Sequence, residues 1–279
     1  MKTLLVDADF LAFMTAAACQ EVIKWDDDII TTHIDMRKAK DVFTGSINDY
    51  SASCGGILED EDANIVLAWS DPARRYFRHE VCSTYKGNRK NGQPPLGLRD
   101  LRDWACTEWP SLWLPGLEGD DVLGLLATGN QLFERELLKR YVKFERVIVG
   151  VDKDLRQIPG VHFNPMRPDD GLVTVTPEEG KRLLALQTLM GDATDGYTGI
   201  PGVGPVKANK LLADVDFSDG ATVWPAIVSA YEASKLTEMD AECQFNQARI
   251  LLTTNYDFKN NRPRLWTPSG TSTSQRTAA

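Results

Sequence analysis

Thr3-Leu4-Leu5-Val6-Asp7 (TLLVD, residues 3–7) is a short unbroken apolar run that ends in an acid. Two further runs share its design. NIVLAWS at 64–70 is followed by Asp71, and RVIVGV at 146–151 is followed by Asp152. An apolar run without polar alternation fits a strand covered on both faces, as in a parallel sheet. Helical patterns at 9–19, 35–52, 96–108, 118–141 and 176–190 separate or follow these runs. Strands alternating with helices predict an α/β fold with a mostly parallel central sheet flanked by helices. In such sheets ligands bind beyond the carboxyl ends of the strands, where Asp7, Asp71 and Asp152 would lie.

Residues 21–34 read as a hairpin turning at Asp26–Asp28, 76–83 as a short strand and 171–176 as another. Thr176-Pro177 opens a helix, with Thr as N-cap and Pro at the first helical position. Residues 199–212 read as a Gly/Pro turn feeding a basic helix, further helices are expected at 222–233 and 238–253, and a small polar tail, 267–279, is expected to be disordered.

The 279 residues carry 42% hydrophobic and 25% charged side chains, ordinary for a folded globular protein. No apolar run reaches the ~18 residues of a membrane span, and Asp7 interrupts what little signal-peptide character the start has. A cytoplasmic location and no membrane partner are expected. Five scattered cysteines and three histidines make neither a disulfide frame nor a zinc site. The net charge of −9 argues against nucleic-acid binding unless the acids are gathered and neutralised by cations.

The acids are indeed grouped. They fall at Asp7, at Asp71, at Glu118/Asp120/Asp121, at Asp152/Asp154 and at Asp192/Asp195. Two like charges ~4 Å apart repel by roughly 4 kcal/mol at an effective dielectric near 20. Nine carboxylates in one place would therefore need divalent cations, and an all-oxygen donor set selects Mg²⁺, with Mn²⁺ as a substitute. Two such ions suit in-line phosphoryl transfer.

Cations stand nearby in sequence. Arg74, Arg75 and Arg78 precede TYKGNRK (84–90), which supplies Tyr85 for stacking on an unpaired base and Lys86, Arg89 and Lys90 for phosphate. In GIPGVGPVKANKLL (199–212), Gly202 and Gly204 allow a phosphate to approach the backbone. Lys207 and Lys210 share a helical face, a pattern that would grip duplex backbone without reading bases.

Taken in order, VDAD, SDPARRYFRHEVCSTYKGNR, EGDDVLGLLA, GVDKDLRQI and LMGDATDGYTGIPGVGPVKANKLL resemble the 5′-nuclease family of 5′–3′ exonucleases and flap endonucleases, over residues 3 to about 214. With no polymerase region following, the likeness is to stand-alone phage enzymes. The resemblance implies a PIN-like core at 1–198 with a helical arch at about 84–117. It also implies a helix–three-turn–helix DNA-binding region at 199–266, with a K⁺ ion at the 199–204 hairpin.

For the site, the resemblance implies a first Mg²⁺ served by Asp7, Asp71, Glu118, Asp120 and Asp121, and a second by Asp152, Asp154, Asp192 and Asp195. Lys86 and Arg89 would touch the scissile phosphate. The implied activity is hydrolysis of DNA at 5′ ends, nicks or flaps, with RNA–DNA hybrid as a further substrate and replication proteins as partners. Two positions depart from the family. Gly150 replaces a Thr or Ser, and Gly196-Tyr197-Thr198 replaces Asn-Ile-Pro.

A second resemblance, to haloacid-dehalogenase-like phosphatases, would make Asp7 a nucleophile and Asp9 a general acid. It leaves EGDD, YKGNR and the Gly-rich hairpin without a role.

Overall fold

The computed structural model describes residues 2–26, 29–54, 64–83, 85–87 and 93–267. The chain divides into two units. The first comprises Met1–Tyr76, Asn91–Thr176 and Ile250–Thr253, and the second Phe77–Lys90, Pro177–Arg249 and Thr254–Ala279.

The first unit is built on a six-stranded sheet. Its strands are β1 (Lys2–Asp7), β4 (Asn64–Ala68), β5 (Ser111–Leu112), β6 (Glu145–Val149), β7 (Gly160–Phe163) and β8 (Leu172–Val175), in the order β5-β4-β1-β6-β7-β8. All neighbours are parallel except β7 and β8. β1 is central because Leu4, Leu5 and Val6 are apolar on both faces of the pleat, and all three are buried. Leu4 and Val6 pack with Val147, Val149, Ile65 and Leu67 beneath α1 (Ala8–Cys19), α2 (Met36–Ser53) and α4 (Leu98–Glu108). The helix α5 (Gly119–Thr128) packs on β1, β4 and β6. β2 (Gln20–Asp26) and β3 (Ile29–Ile34) form the expected hairpin, and Asp27–Asp28 at its tip lie outside the described residues.

The second unit holds α3 (Arg78–Val81), α6 (Pro177–Met190), α7 (Pro205–Leu211), α8 (Gly220–Ala233), α9 (Glu238–Ala248) and a small hairpin, β9 (Tyr256–Asp257) with β10 (Arg262–Pro263). Its core gathers Leu189, Ile200, Val203, Ala208, Leu212, Ile227 and Tyr231.

Several expectations are corrected. Residues 78–81 form a helical turn where a strand was expected at 76–83. The helix expected at 118–141 ends at Thr128. A Cβ on Gly129 would lie 2.3 Å from Thr253 Oγ1, so the chain turns there and continues as two 3-10 turns, Gln131–Glu134 and Lys139–Tyr141. The helix expected at 238–253 stops at Ala248, because Ile250 and Leu251 leave the helix and donate their N–H groups to side chains of the first unit's core. β7 and β5 were not foreseen, being only four and two residues long.

The division at Thr176/Pro177 sets the Asp192/Asp195 motif in the second unit. Within the span expected to be an arch, α4 is a core helix. Its Leu101 and Ala105 are fully buried, Trp104 packs edge-on against Phe43 and Trp109, and Trp109 lies tilted against Phe43. Thr84 and residues 88–92 of that span lie outside the described residues, as does the tail from 268. Among the described residues no helix is long and apolar enough to cross a membrane.

Candidate active site

Three acids mark the carboxyl edge of the sheet. Asp7 ends β1 opposite Ala68 of β4, three residues before Asp71, and Val6 pairs with Val149 of β6, three residues before Asp152. Adjacent parallel strands thus deliver Asp71, Asp7 and Asp152 to one side. Asp7 is buried and also caps α1, accepting the Phe10 N–H at 3.1 Å. Burial pushes its carboxyl up to about 7, with Asp9 and then Asp152 adding repulsion against the opposing pull of the Phe10 N–H.

Asp71 is buried and tightly oriented. Its Oδ1 accepts the Ala73 N–H at 2.9 Å, its Oδ2 accepts the Gly116 N–H at 2.8 Å, and its own N–H donates to Leu117 O at 2.8 Å. Each carboxylate oxygen keeps a second lone pair. Asp152 is exposed, and its Oδ1 accepts the N–H of half-buried Asp154 at 2.9 Å. Glu118 is the buried N-cap of α5, and Asp120 is half-buried in the first turn.

Asp121 is tied into the backbone as firmly as Asp71. Its side chain is 0% exposed, and its oxygens accept the N–H groups of Glu118 at 3.2 Å and Leu251 at 3.0 Å. Both oxygens thus hold backbone, as those of Asp71 do, and each keeps a second lone pair. At Gly150, a departure from the family pattern, a Cβ would stand 2.3 Å from Leu155 Cδ1 and 3.4 Å from Asp7 Cβ, so a larger residue would need the Leu155 side chain to move.

The second unit carries the other acids in the loop after α6. Asp192 and Tyr197 exchange backbone hydrogen bonds at 2.9 and 3.1 Å, and Asp192 Oδ1 accepts the Thr194 N–H at 2.7 Å. The loop closes because Gly191 and Gly199, both at positive φ, touch backbone to backbone, where a Cβ on Gly199 would lie 2.3 Å from Gly191 N. Asp195 meets the expected phosphate contact. Lys86 Nζ lies 3.6 Å from its Oδ1, and the Lys86 N–H donates to Asp195 O at 2.9 Å.

Tyr85 and Arg78 are further corrections. Tyr85 is 3% exposed, edge-on to His79, with its hydroxyl 3.3 Å from Asp195 Oδ2, so the ring is not offered to a base. Arg78 is buried and donates to the carbonyls of Gln247 at 3.0 Å and Arg249 at 2.6 Å, which makes it an internal clamp. Arg89 lies outside the described residues. Gly202, Gly204, Lys207 and Lys210 are exposed around α7, while Val203 and Ala208 anchor it inward.

A bound metal was expected, and the donor set fits a hard divalent cation. Every candidate donor on the sheet edge is a carboxylate, and Asp7 is buried among like charges that such a cation would relieve. The histidines are elsewhere, with His33 on β3, His79 on α3 and His162 hydrogen-bonded to Ile158 O. The acids are not drawn into a finished cage, however. Among the described residues no three Asp, Glu, His or Cys side chains stand together as ion ligands. Two residues escaped the sequence reading. Ser70 and Arg102 bind at the β4 end, and the acid pair Asp7/Asp9, two residues apart at a strand-to-helix junction, was the available signal.

The family described as 5′-3′ exonuclease, N-terminal resolvase-like domain, matches residues 2–179. The chain belongs to this 5′-3′ exonuclease family. Membership decides against the phosphatase alternative and places the chain among phosphodiester-hydrolysing enzymes. The exodeoxyribonuclease of Enterobacteria phage T3 is 29% identical, over 95% of this chain and 92% of that one. The exonuclease of Escherichia phage T7 is 28% identical over 95% and 93%. DNA polymerase I of Bacillus caldotenax is 29% identical over 63% of this chain and 21% of its own length. In fold, this member of the exonuclease family is similar to bacteriophage T5 flap endonuclease, solved with DNA and metal ions, at a TM-score of 0.58 with 14% identity and coverage of 91% and 90%.

Proposed function

We propose that the chain is a Mg²⁺-dependent 5′ nuclease that hydrolyses DNA at 5′ ends, nicks or flaps and leaves a 5′-phosphate, with RNA of RNA–DNA hybrids as a second substrate. The observation that carries this reading is the delivery of Asp71, Asp7 and Asp152 by three adjacent parallel strands in a chain of this family. Asp7, Asp71, Glu118, Asp120 and Asp121 would serve one divalent ion, and Asp152 and Asp154 would contribute to a second. For Asp192 and Asp195 the support is their GDATD motif. When bound, such ions lower the pKa of attacking water and offset charge on the leaving oxygen.

The remaining work falls to side chains and backbone. Lys86 and Arg89 bind the scissile phosphate, and Lys86 is held ready by its pairing with Asp195. Asp71, fixed by two backbone N–H groups, is pre-oriented before substrate arrives. Gly202, Gly204, Lys207 and Lys210 grip duplex backbone, so affinity is salt-dependent and indifferent to sequence. A K⁺ ion at 199–204 and replication proteins as partners remain part of the reading on the family resemblance. Mn²⁺ substitutes for Mg²⁺.

The test is cleavage of end-labelled blunt, nicked, flapped and hybrid substrates with Mg²⁺, with Mn²⁺ and with EDTA. Metal-dependent release from the 5′ side is expected. Cleavage that survives EDTA, or that begins at 3′ ends, would overturn the proposal.

A further inference from the structure

Ser70 is held at each of its three hydrogen-bonding groups. Its N–H donates to Asp9 Oδ2 at 2.6 Å, its Oγ accepts the Gly119 N–H at 2.9 Å, and its carbonyl accepts Arg102 Nη2 at 2.8 Å. The three partners come from α1, α5 and α4, and Arg102 also lies over the Trp69 ring at 5.1 Å. The fit at Gly119 is close, since a Cβ there would sit 3.0 Å from Asp9 Oδ2 and 3.6 Å from Ser70 N. Ser70 directly precedes Asp71, whose N–H and carboxylate are bound to Leu117 and Gly116 in the segment leading into α5.

This arrangement exceeds what a loop needs to satisfy its backbone. An ordinary strand-to-loop junction leaves such groups to water. Here two charged side chains, from helices on either side in sequence, fix the two successive peptide planes that flank Ser70, beside a candidate ligand. Charge-assisted bonds of this kind are short and directional, and Asp9 to Ser70 is among the shortest contacts at the sheet edge.

We propose that Asp9 and Arg102 are positioning residues that fix the Asp71 carboxylate through Ser70, and so set the affinity of the metal site. The inference rests on the reading of Asp71 as a metal ligand. Asp9 acts as a hydrogen-bond acceptor rather than as a ligand, and Arg102 makes α4 part of the site's frame. Partners that orient a ligand typically change metal affinity by roughly 10–100-fold when removed.

The experiment is Mn²⁺ binding to the full chain, without DNA, followed by electron paramagnetic resonance, with the melting temperature in EDTA recorded for each variant. Asp9→Ala and Arg102→Ala are expected to weaken Mn²⁺ binding by roughly tenfold or more. Asp9→Asn, which keeps an acceptor for the Ser70 N–H, is expected to restore affinity to within about threefold of the parent, a rescue that a ligating carboxylate would not show. Loss of melting temperature with Mn²⁺ affinity unchanged in the Ala variants would reduce both residues to structural supports and overturn the proposal. Asp9→Asn binding as poorly as Asp9→Ala would overturn it for Asp9. Should Arg102→Ala not fold, Arg102→Lys, which shortens the reach to the Ser70 carbonyl, carries the same expectation of weakened binding. Asp71→Ala separates the two levels. If it leaves Mn²⁺ binding intact, the metal reading itself fails, whereas if it abolishes binding and the Asp9 and Arg102 variants do not weaken it, only this inference fails.

Discussion

Asp121 Oδ1 accepts the backbone N–H of Leu251 at 3.0 Å, across 130 residues of sequence. The same carboxylate holds the first turn of α5 through Glu118, so one buried acid ties the returning chain to the helix that carries Glu118 and Asp120. An acid that the motif assigns to an ion is thus also a structural anchor in this fold.

Asp121→Ala should therefore lower stability. Two buried N–H groups lose their acceptor, at about 1–3 kcal/mol each. Urea denaturation of the metal-free protein should show a loss of roughly 2–5 kcal/mol. A variant as stable as the parent would return Asp121 to the role of a simple ligand.

Gly124→Ala makes the same contact visible from the helix side. Alanine favours a helix interior over glycine by ~1 kcal/mol. A Cβ at this position would nevertheless lie 2.2 Å from Leu251 O, a backbone atom that cannot swing away. The clash should outweigh the propensity gain, giving a lower melting temperature, and a rise would show that residues 250–253 yield readily.

Asp7 makes the metal-free protein pH-sensitive. Its carboxyl is pushed from 3.8 up to about 7, so the folded state binds the proton more tightly than the unfolded chain. The stability that this group contributes is full below about 4 and is lost as pH rises toward 7, at ~1.4 kcal/mol for each pH unit crossed. Asp7→Asn should flatten that decline in denaturation curves taken in EDTA. Divalent ions favour the ionised form, so Mg²⁺ affinity of the parent should rise through the same window. A parent curve unchanged between about pH 5 and pH 8 in EDTA would leave Asp7 without this role.

How far the sequence reached depends on how local each signal is. β1, β4 and β6 are legible because a run such as Leu4-Leu5-Val6 has no amphipathic alternative, and their register then carries Asp7, Asp71 and Asp152 to one edge. The end of α5 is not legible, because the residue that stops it, Gly129, is confined by Thr253, far away in sequence. Tyr85 and Arg78 read as exposed because their neighbours are polar, yet tertiary packing turns one against His79 and the other onto the carbonyls of Gln247 and Arg249. Ser70 is silent in sequence because each of its partners lies on a different element.

Lys86→Ala should reduce single-turnover cleavage by well over tenfold if its ammonium meets developing phosphate charge. Lys86 sits at φ 51, so Lys86→Gly would relieve backbone strain while losing the same charge. Equal rate losses in both variants are expected, and an unchanged rate in either would reduce Lys86 to a partner of Asp195.

Lys207→Glu with Lys210→Glu should weaken duplex binding and lower the slope of log K against log salt by roughly 1 for each phosphate no longer neutralised. The exposed positions leave the fold intact, which melting temperature would verify. Unaltered affinity at low salt would remove α7 from the DNA interface.

Whether divalent ions sit at the carboxyl edge of the sheet is answered by anomalous diffraction from crystals of the protein grown with Mn²⁺. Manganese peaks at that edge, ligated by Asp7, Asp71 and Asp152 side chains, are expected. An edge without a peak, with manganese bound only elsewhere on the protein, would refute the metal-dependent nuclease reading.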